Sequence, residues 1–152
     1  MLKMIMDSDD KASIARQILE ALPQWFGIPE SREQYIADCR NWPFFATFEG
    51  ERPVGFLCLK ETGKATMELA VMGVLPEFHR RGIGRRLFAM AREYAVQNGY
   101  AFLRVKTVQM GRYPCYDDTN RFYLSLGFQE FEVLKTLWDE ANSCQIYIMS
   151  LI

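Results

Sequence analysis

The sequence predicts a mixed α/β fold in which helices pack on a twisted sheet. Strand-like and helix-like segments alternate in the order β-α-α-β-β-β-α-β-α-β-β. The unbroken apolar stretch Leu69-Ala70-Val71-Met72-Gly73-Val74-Leu75 reads as a strand covered on both faces. Apolar residues make up 49% of 152 residues, enough for one sizeable core, and no repeat, low-complexity tract or linker divides residues 1–152 into more than one domain.

The elements follow from local pattern. Leu2 to Met6 is a short apolar strand, and Asp7-Ser8-Asp9-Asp10 offers N-caps to a helix carrying Ile14, Ile18, Leu19 and Leu22 before Pro23 ends it. Trp25-Phe26-Gly27-Ile28-Pro29 makes a turn, and Ser31, with Glu33-Gln34 behind it, suits the cap of a second helix over Tyr35, Ile36 and Cys39. Two strand-like runs between Phe44 and Lys60 flank Glu49-Gly50-Glu51-Arg52-Pro53, a hairpin loop. Gly63-Lys64 turns the chain into the strand Thr66 to Leu75. Ile83, Leu87, Met90, Ala91, Tyr94 and Ala95 recur at helical spacing from about Gly82 to the stop at Asn98-Gly99. Tyr100 to Val108 alternates as a strand, and Asp117 or Asp118 would cap a helix through Phe122 and Leu126 that Gly127 ends. Strands at about Phe128 to Trp138 and Cys144 to Leu151 complete the chain.

Composition excludes several classes. With 18 Lys and Arg against 19 Asp and Glu, the formal net charge of −1 provides no general attraction to nucleic acid or anionic lipid. No stretch approaches the roughly 20 apolar residues of a membrane span, and Met1-Leu2-Lys3-Met4-Ile5-Met6-Asp7 lacks a signal-peptide core, so a soluble cytoplasmic protein is expected. Cys39, Cys58, Cys115 and Cys144 are scattered without a CxxC pair, which argues against zinc and against a disulfide framework. No metal is expected.

One segment carries chemistry. The strand ending Val74-Leu75-Pro76 crosses Glu77-Phe78 and enters a helix at Arg80-Arg81-Gly82-Ile83-Gly84-Arg85-Arg86. First-turn N–H groups lack intrahelical partners and sit at the positive end of the helix dipole, which makes an anion site. Arginines in that turn cost about 0.3–1 kcal/mol each, a penalty that a bound polyanion reverses. A Walker loop is excluded because no Lys-Ser or Lys-Thr follows a glycine at the required spacing. A dinucleotide fingerprint is excluded because Leu87 stands where its third glycine belongs.

The loop His79-Arg80-Arg81-Gly82-Ile83-Gly84 resembles the pyrophosphate loop of GNAT-type N-acetyltransferases, Gln/Arg-x-x-Gly-x-Gly/Ala, with His79 where that pattern prefers Gln or Arg. The passage Val74-Leu75-Pro76-Glu77-Phe78 and the segment Tyr123-Leu124-Ser125-Leu126-Gly127-Phe128 are similar to the family's strand-to-loop passage and its Tyr-x-x-x-Gly-Phe ending. The resemblance covers almost the whole chain. It implies a largely antiparallel, twisted sheet with a central splayed strand pair, helices on both faces, and direct transfer of acetyl from acetyl-CoA to a primary amine of a small molecule or protein.

By that resemblance, the strand from Leu69 to Val74 splays from its neighbour, the N–H near Met72 polarises the thioester carbonyl, and backbone near Val74 meets the pantetheine arm. His79, Arg80, Arg81, Gly82, Ile83, Gly84 and Arg85 form the pyrophosphate site, mainly through backbone donors. The family's Asn near Tyr116 is missing, and Asn120 is a weak substitute. Tyr123 occupies the position of the general acid, with a core tyrosine the plainer alternative. Glu68 takes the place of a general base and shares a face with Ala70 and Met72 if the strand is regular. His79, inside the phosphate loop, is a poor base; Cys115 and Cys144 have no histidine nearby in sequence and are expected to be packed.

Trp25, Phe26 and Tyr113 are candidate acceptor contacts that would serve equally in the core or in a homodimer, and the loop from Gln109 to Tyr116 is a candidate second wall. Two rival readings remain at this level. One is a non-catalytic module of the same shape that binds coenzyme A or regulates. The other is nucleic-acid binding through Arg80, Arg81, Arg85 and Arg86, which predicts a steep salt dependence.

Overall fold

In the computed structural model, which describes residues 1–152, the chain runs β1 (Leu2–Ile5), α1 (Ser8–Leu19), α2 (Pro29–Cys39), β2 (Phe44–Glu49), β3 (Arg52–Gly63), β4 (Thr66–Val74), a short 3₁₀ turn (Pro76–Phe78), α3 (Ile83–Gln97), β5 (Phe102–Val108), α4 (Pro114–Leu126), β6 (Gln129–Asp139) and β7 (Asn142–Ser150). The element order is the one expected, and the strands form one sheet in the order β1-β2-β3-β4-β5-β7-β6. Only β4 and β5 pair in parallel; every other ladder is antiparallel. No helix is long and apolar enough to cross a membrane.

Helix starts differ from expectation for one physical reason. Asp7 caps α1 as read, its carboxylate accepting from Asp10 N at 2.9 Å. By contrast α2 begins at Pro29 and α4 at Pro114, and their N-caps, Ile28 and Tyr113, donate no side-chain cap. Proline at the first helical position has its φ preset and brings no orphan N–H, so it starts a helix without a polar cap. Ser31 and Asp118 therefore lie inside their helices, and Asp117 instead accepts from Gly111 N at 2.7 Å.

α1 and α2 cover one face of the sheet and α3 the other. A Cβ on Gly73 would meet Leu22 and Ile18, on the α1 side, whereas one on Gly55 would meet Ile83 and Leu87 of α3. Buried side chains from both faces and from the sheet join in one cluster, in which Phe44 and Phe56 stack with ring centroids 5.1 Å apart.

The feature that creates the site is a fork in the sheet. β4 pairs with β5 only over Thr66–Glu68 against Phe102–Arg104 and then leaves it, while β3 stays with β4 as far as Gly55 against Val74. β5 stays with β7 over its whole length. The C-terminal half of β4 thus keeps a partner on one edge and presents its other edge to the gap.

Candidate active site

Which backbone groups of β4 face the gap follows from strand alternation. Leu75 N donates to Val54 O at 2.9 Å, so Leu75 faces β3, and the polar groups of Val74 and Met72 face the gap. The Val74 carbonyl bears this out: it accepts from the Nε2–H of His79 at 2.7 Å. That bond requires the Nε2 proton on His79, because a carbonyl only accepts.

The gap opens onto the phosphate loop. Arg80 and Gly82 both have positive φ, 63° and 77°, and the first helical bond of α3 runs from Arg86 N to Gly82 O at 3.1 Å. The backbone N–H groups of Arg80 through Arg85 find no acceptor in the protein. A non-glycine residue in the left-handed region stores of order 1–3 kcal/mol, and here that residue, Arg80, stands within the run of unpaired amides. Gly84 has a different cause: a Cβ there would stand 2.9 Å from Met72 Cε and 3.0 Å from Phe122 Cζ, so only glycine lets α3 approach β4 and α4 this closely. Arg85 Nη2 donates to Ser125 Oγ at 2.8 Å, tying α3 to α4. The Arg81 guanidinium stacks over Phe78, 4.9 Å from the ring centre, and does not line the cavity; only its amide belongs to the loop.

Both features lie on one cavity of about 1320 Å³. It exceeds the roughly 300–1,000 Å³ usual for one small ligand, so it has room for two substrates. Met72, Val74, His79, Arg80, Gly82, Ile83, Gly84, Arg85 and Tyr123 line it, together with Trp25, Phe26 and Tyr113. Tyr123 is 8% exposed and packs against Phe122, Phe128 and Tyr147. Its hydroxyl makes no hydrogen bond within the protein, and burial pushes the phenol well above its ordinary range, so it stays protonated.

The aromatic turn is clamped over α4. Trp25 Nε1 donates to Thr119 Oγ1 and Tyr116 OH donates to Trp25 O, both at 3.2 Å, while the Trp25 ring meets His79 edge-on at 6.2 Å. Of the second wall, Tyr113, Cys115 and Tyr116 line the cavity and Gln109 to Arg112 do not. Desolvation pushes Tyr116 and Tyr147 up to about 12. Tyr116, Tyr123 and Tyr147, with Tyr35 and Tyr100 whose phenols are also raised, make alkaline stability pH-dependent. The unfolded chain ionises near 10 while the folded chain holds its protons, so the stabilisation is complete below pH 10 and is lost progressively above it, the share of Tyr116 and Tyr147 as pH rises through about 12 and that of Tyr123 later. Urea midpoints measured from pH 8 to 11.5 should fall above pH 10, with a slope of at most about 1.4 kcal/mol per pH unit for each tyrosine.

Known proteins match this architecture. The model of the GNAT acetyltransferase family fits residues 13–128. This chain belongs to the GNAT acetyltransferase family. Among solved structures, a protein from Desulfovibrio desulfuricans described as an acetyltransferase of that family superposes with a TM-score of 0.86 at 21% identity, covering 100% of this chain and 99% of that one. The ribosomal-protein-S18-alanine N-acetyltransferase of Escherichia coli matches at 0.78 and 17%, covering 99% and 94%. An aminoglycoside 6'-N-acetyltransferase complexed with coenzyme A matches at 0.76 and 16%, covering 99% and 97%. No curated protein sequence matches significantly. The chain is therefore an acyltransferase by family, with the fold of its structural neighbours.

Two residues read from the sequence stand elsewhere in this GNAT chain. Cys58 opposes Val71 and Leu59 opposes Leu69, so Ala70 is an extra residue, a β-bulge that breaks the alternation. Glu68 opposes Lys60, whose ammonium lies 5.6 Å over Trp42, and it falls on the α1–α2 face, whereas Met72 reaches Gly84 on the α3 face. Glu68 is 5% exposed, does not line the cavity, and is bound by Arg104 Nε at 2.9 Å with Lys106 Nζ 3.8 Å away. Asn120 is also misplaced: it has no exposed surface, donates to Val108 O (2.9 Å) and Tyr116 O (2.7 Å), and accepts from Tyr147 OH (2.6 Å). It holds α4 to the end of β5 and to the middle of β7 and has no donor left for a cofactor. Asn120→Ala should lower unfolding free energy by about 3 kcal/mol, since each buried group left unpaired costs about 1–3 kcal/mol; chemical denaturation measures it.

Other residues join the cavity that the sequence did not point out: Arg32 and Tyr35 from α2, Lys106 from β5, and Trp138, Asp139 and Asn142 from the tip of the β6–β7 hairpin. The spacing of Arg32, Tyr35, Ile36 and Cys39 marks the inner face of α2, which was the one available signal.

Proposed function

We propose that the protein transfers the acetyl group of acetyl-CoA directly to a primary amine of a small molecule or of a protein or peptide, in the cytoplasm. The observation that supports this most is the placement on one cavity of Arg80 and of Gly82 to Arg85, whose amides are unpaired, and of Tyr123, whose hydroxyl has no partner. Consecutive orphan donors at a helix N-terminus, with the Arg80 and Arg85 guanidinium groups beside them, fit a diphosphate. Acetyl-CoA, when bound, supplies an activated acyl carbon and a sulfur that can leave.

Each protein group then has a defined task. The Met72 N–H faces the gap and is available to the acyl oxygen, holding negative charge as the amine attacks. The Val74 N–H faces the same gap for the pantetheine arm, its carbonyl being taken by His79. Tyr123 donates its proton to the departing sulfur and regains one from solvent. Trp25, Phe26 and Tyr113 wall the acceptor's side. Glu68, paired with Arg104 and absent from the cavity lining, is not assigned the base role; the amine proton leaves through water.

A panel of amines and peptides assayed for free thiol with acetyl-CoA tests the reading, with coenzyme A as competitor. Thiol release that depends on an amine is the expected result. Tight acetyl-CoA binding with no release for any amine would instead support a non-catalytic binding module.

A further inference from the structure

The acceptor end of the cavity contains an unsatisfied cation. Arg32 Nε is the one buried side-chain nitrogen or oxygen in the chain without a hydrogen-bond partner, and its guanidinium makes no ion pair or side-chain hydrogen bond. Buried donors are almost always satisfied, so an orphaned charged one on a cavity wall calls for an acceptor supplied from outside.

Arg32 stands on the inner face of α2 one turn before Tyr35, and both line the cavity opposite the phosphate loop. The other charged side chains there each have partners within the protein, and with Arg104 and Glu68 counted they sum, Arg32 included, to one net positive charge. Lys106 lies 3.8 Å from Glu68, whose other partner is Arg104; Asp118 pairs with Arg121 at 3.0 Å; and Asp139 accepts from Asn142 N at 2.9 Å and from its Nδ2. The balance leaves one positive charge on the acceptor side of a mostly aromatic wall.

Given the acetyltransferase reading above, we propose that Arg32 receives a carboxylate carried by the acceptor, so that the amine acetylated belongs to a carboxylate-bearing molecule: a free amino acid or an acidic peptide. The guanidinium's two terminal nitrogens have no partner in the protein and offer parallel donors, which match the two oxygens of one carboxylate. Arg32 is thus a specificity-determining residue and takes no part in proton transfer.

The test compares matched acceptors at saturating acetyl-CoA: amino acids against their amides, and peptides with an acidic residue near the amine against the same peptides with that residue as the amide. For the carboxylated member, Arg32→Gln should raise KM roughly 10- to 100-fold with kcat nearly unchanged, and Arg32→Lys should recover only part of the loss. For the amide member the variants should behave as wild type. Acetyl-CoA affinity by calorimetry and the thermal midpoint should not move, which separates this proposal from a folding defect. Whichever pair shows the effect identifies the source of the carboxylate. Equal acetylation of both members, indifference to Arg32→Gln, or no acetylation of any carboxylated amine overturns the inference. With acetyl-CoA binding and amine-dependent thiol release intact, the transferase reading survives that failure; without acetyl-CoA binding both fall together.

Discussion

Tyr123→Phe should lower kcat by roughly 10²–10³-fold, the range that a positioned general acid contributes, while leaving acetyl-CoA affinity close to that of wild type. The hydroxyl has no partner in the protein, so its removal breaks no internal hydrogen bond, and the ring keeps its contacts with Phe122, Phe128 and Tyr147. A core tyrosine would show the reverse pattern, with stability altered and turnover intact. The pH profile adds a second check. Because burial raises the Tyr123 phenol, the acid form persists at physiological pH, and a loss of kcat assigned to its ionisation should come only above pH 10. Stopped-time thiol release across pH 6 to 10.5 for both proteins measures both effects; a fall in kcat of less than about threefold would remove Tyr123 from the chemistry.

Gly82→Asp should weaken acetyl-CoA binding by roughly 10³-fold, because like charges brought together in a binding site cost several kcal/mol. Two effects act together. Gly82 is the N-cap of α3, so a carboxylate there would accept from the first-turn amides that otherwise serve the diphosphate, and it would add a negative charge beside it. Nothing lies within 4 Å of a Cβ at this position, so the substitution meets no steric barrier. The φ of 77° adds backbone strain, but the self-cap offsets it, and stability should change little. Calorimetric titration of the variant decides the matter: unchanged affinity would move the diphosphate away from this loop.

The helix starts show how local rules compete. Ser31 and Asp117 are good caps on composition, yet Pro29 and Pro114 start their helices earlier, since preset φ and a missing donor act within the first residue. The strand-loop-helix passage with its unpaired amides was readable because all its determinants sit within a few residues: a strand end, glycines, and a helix N-terminus crowded with arginines. Tyr123 was singled out because its place relative to Gly127 and Phe128 matches a family motif, and the structure puts it on the cavity wall. Its burial and the absence of an internal partner for its hydroxyl were not readable.

The element order and the family were determined by the sequence alone, because period, turn chemistry and capping act over neighbouring residues. Three things were decided only by the tertiary structure. The bulge at Ala70 arises from how β4 matches β3, and it moves Glu68 to the face opposite Met72 and into the hold of Arg104. Asn120 is spent between α4, β5 and β7, segments far apart in sequence. Arg32 is left without a partner only when α2 closes over a cavity whose other charged side chains have partners of their own. In each case the outcome depends on strand register or long-range contact, and no short window of residues carries that information.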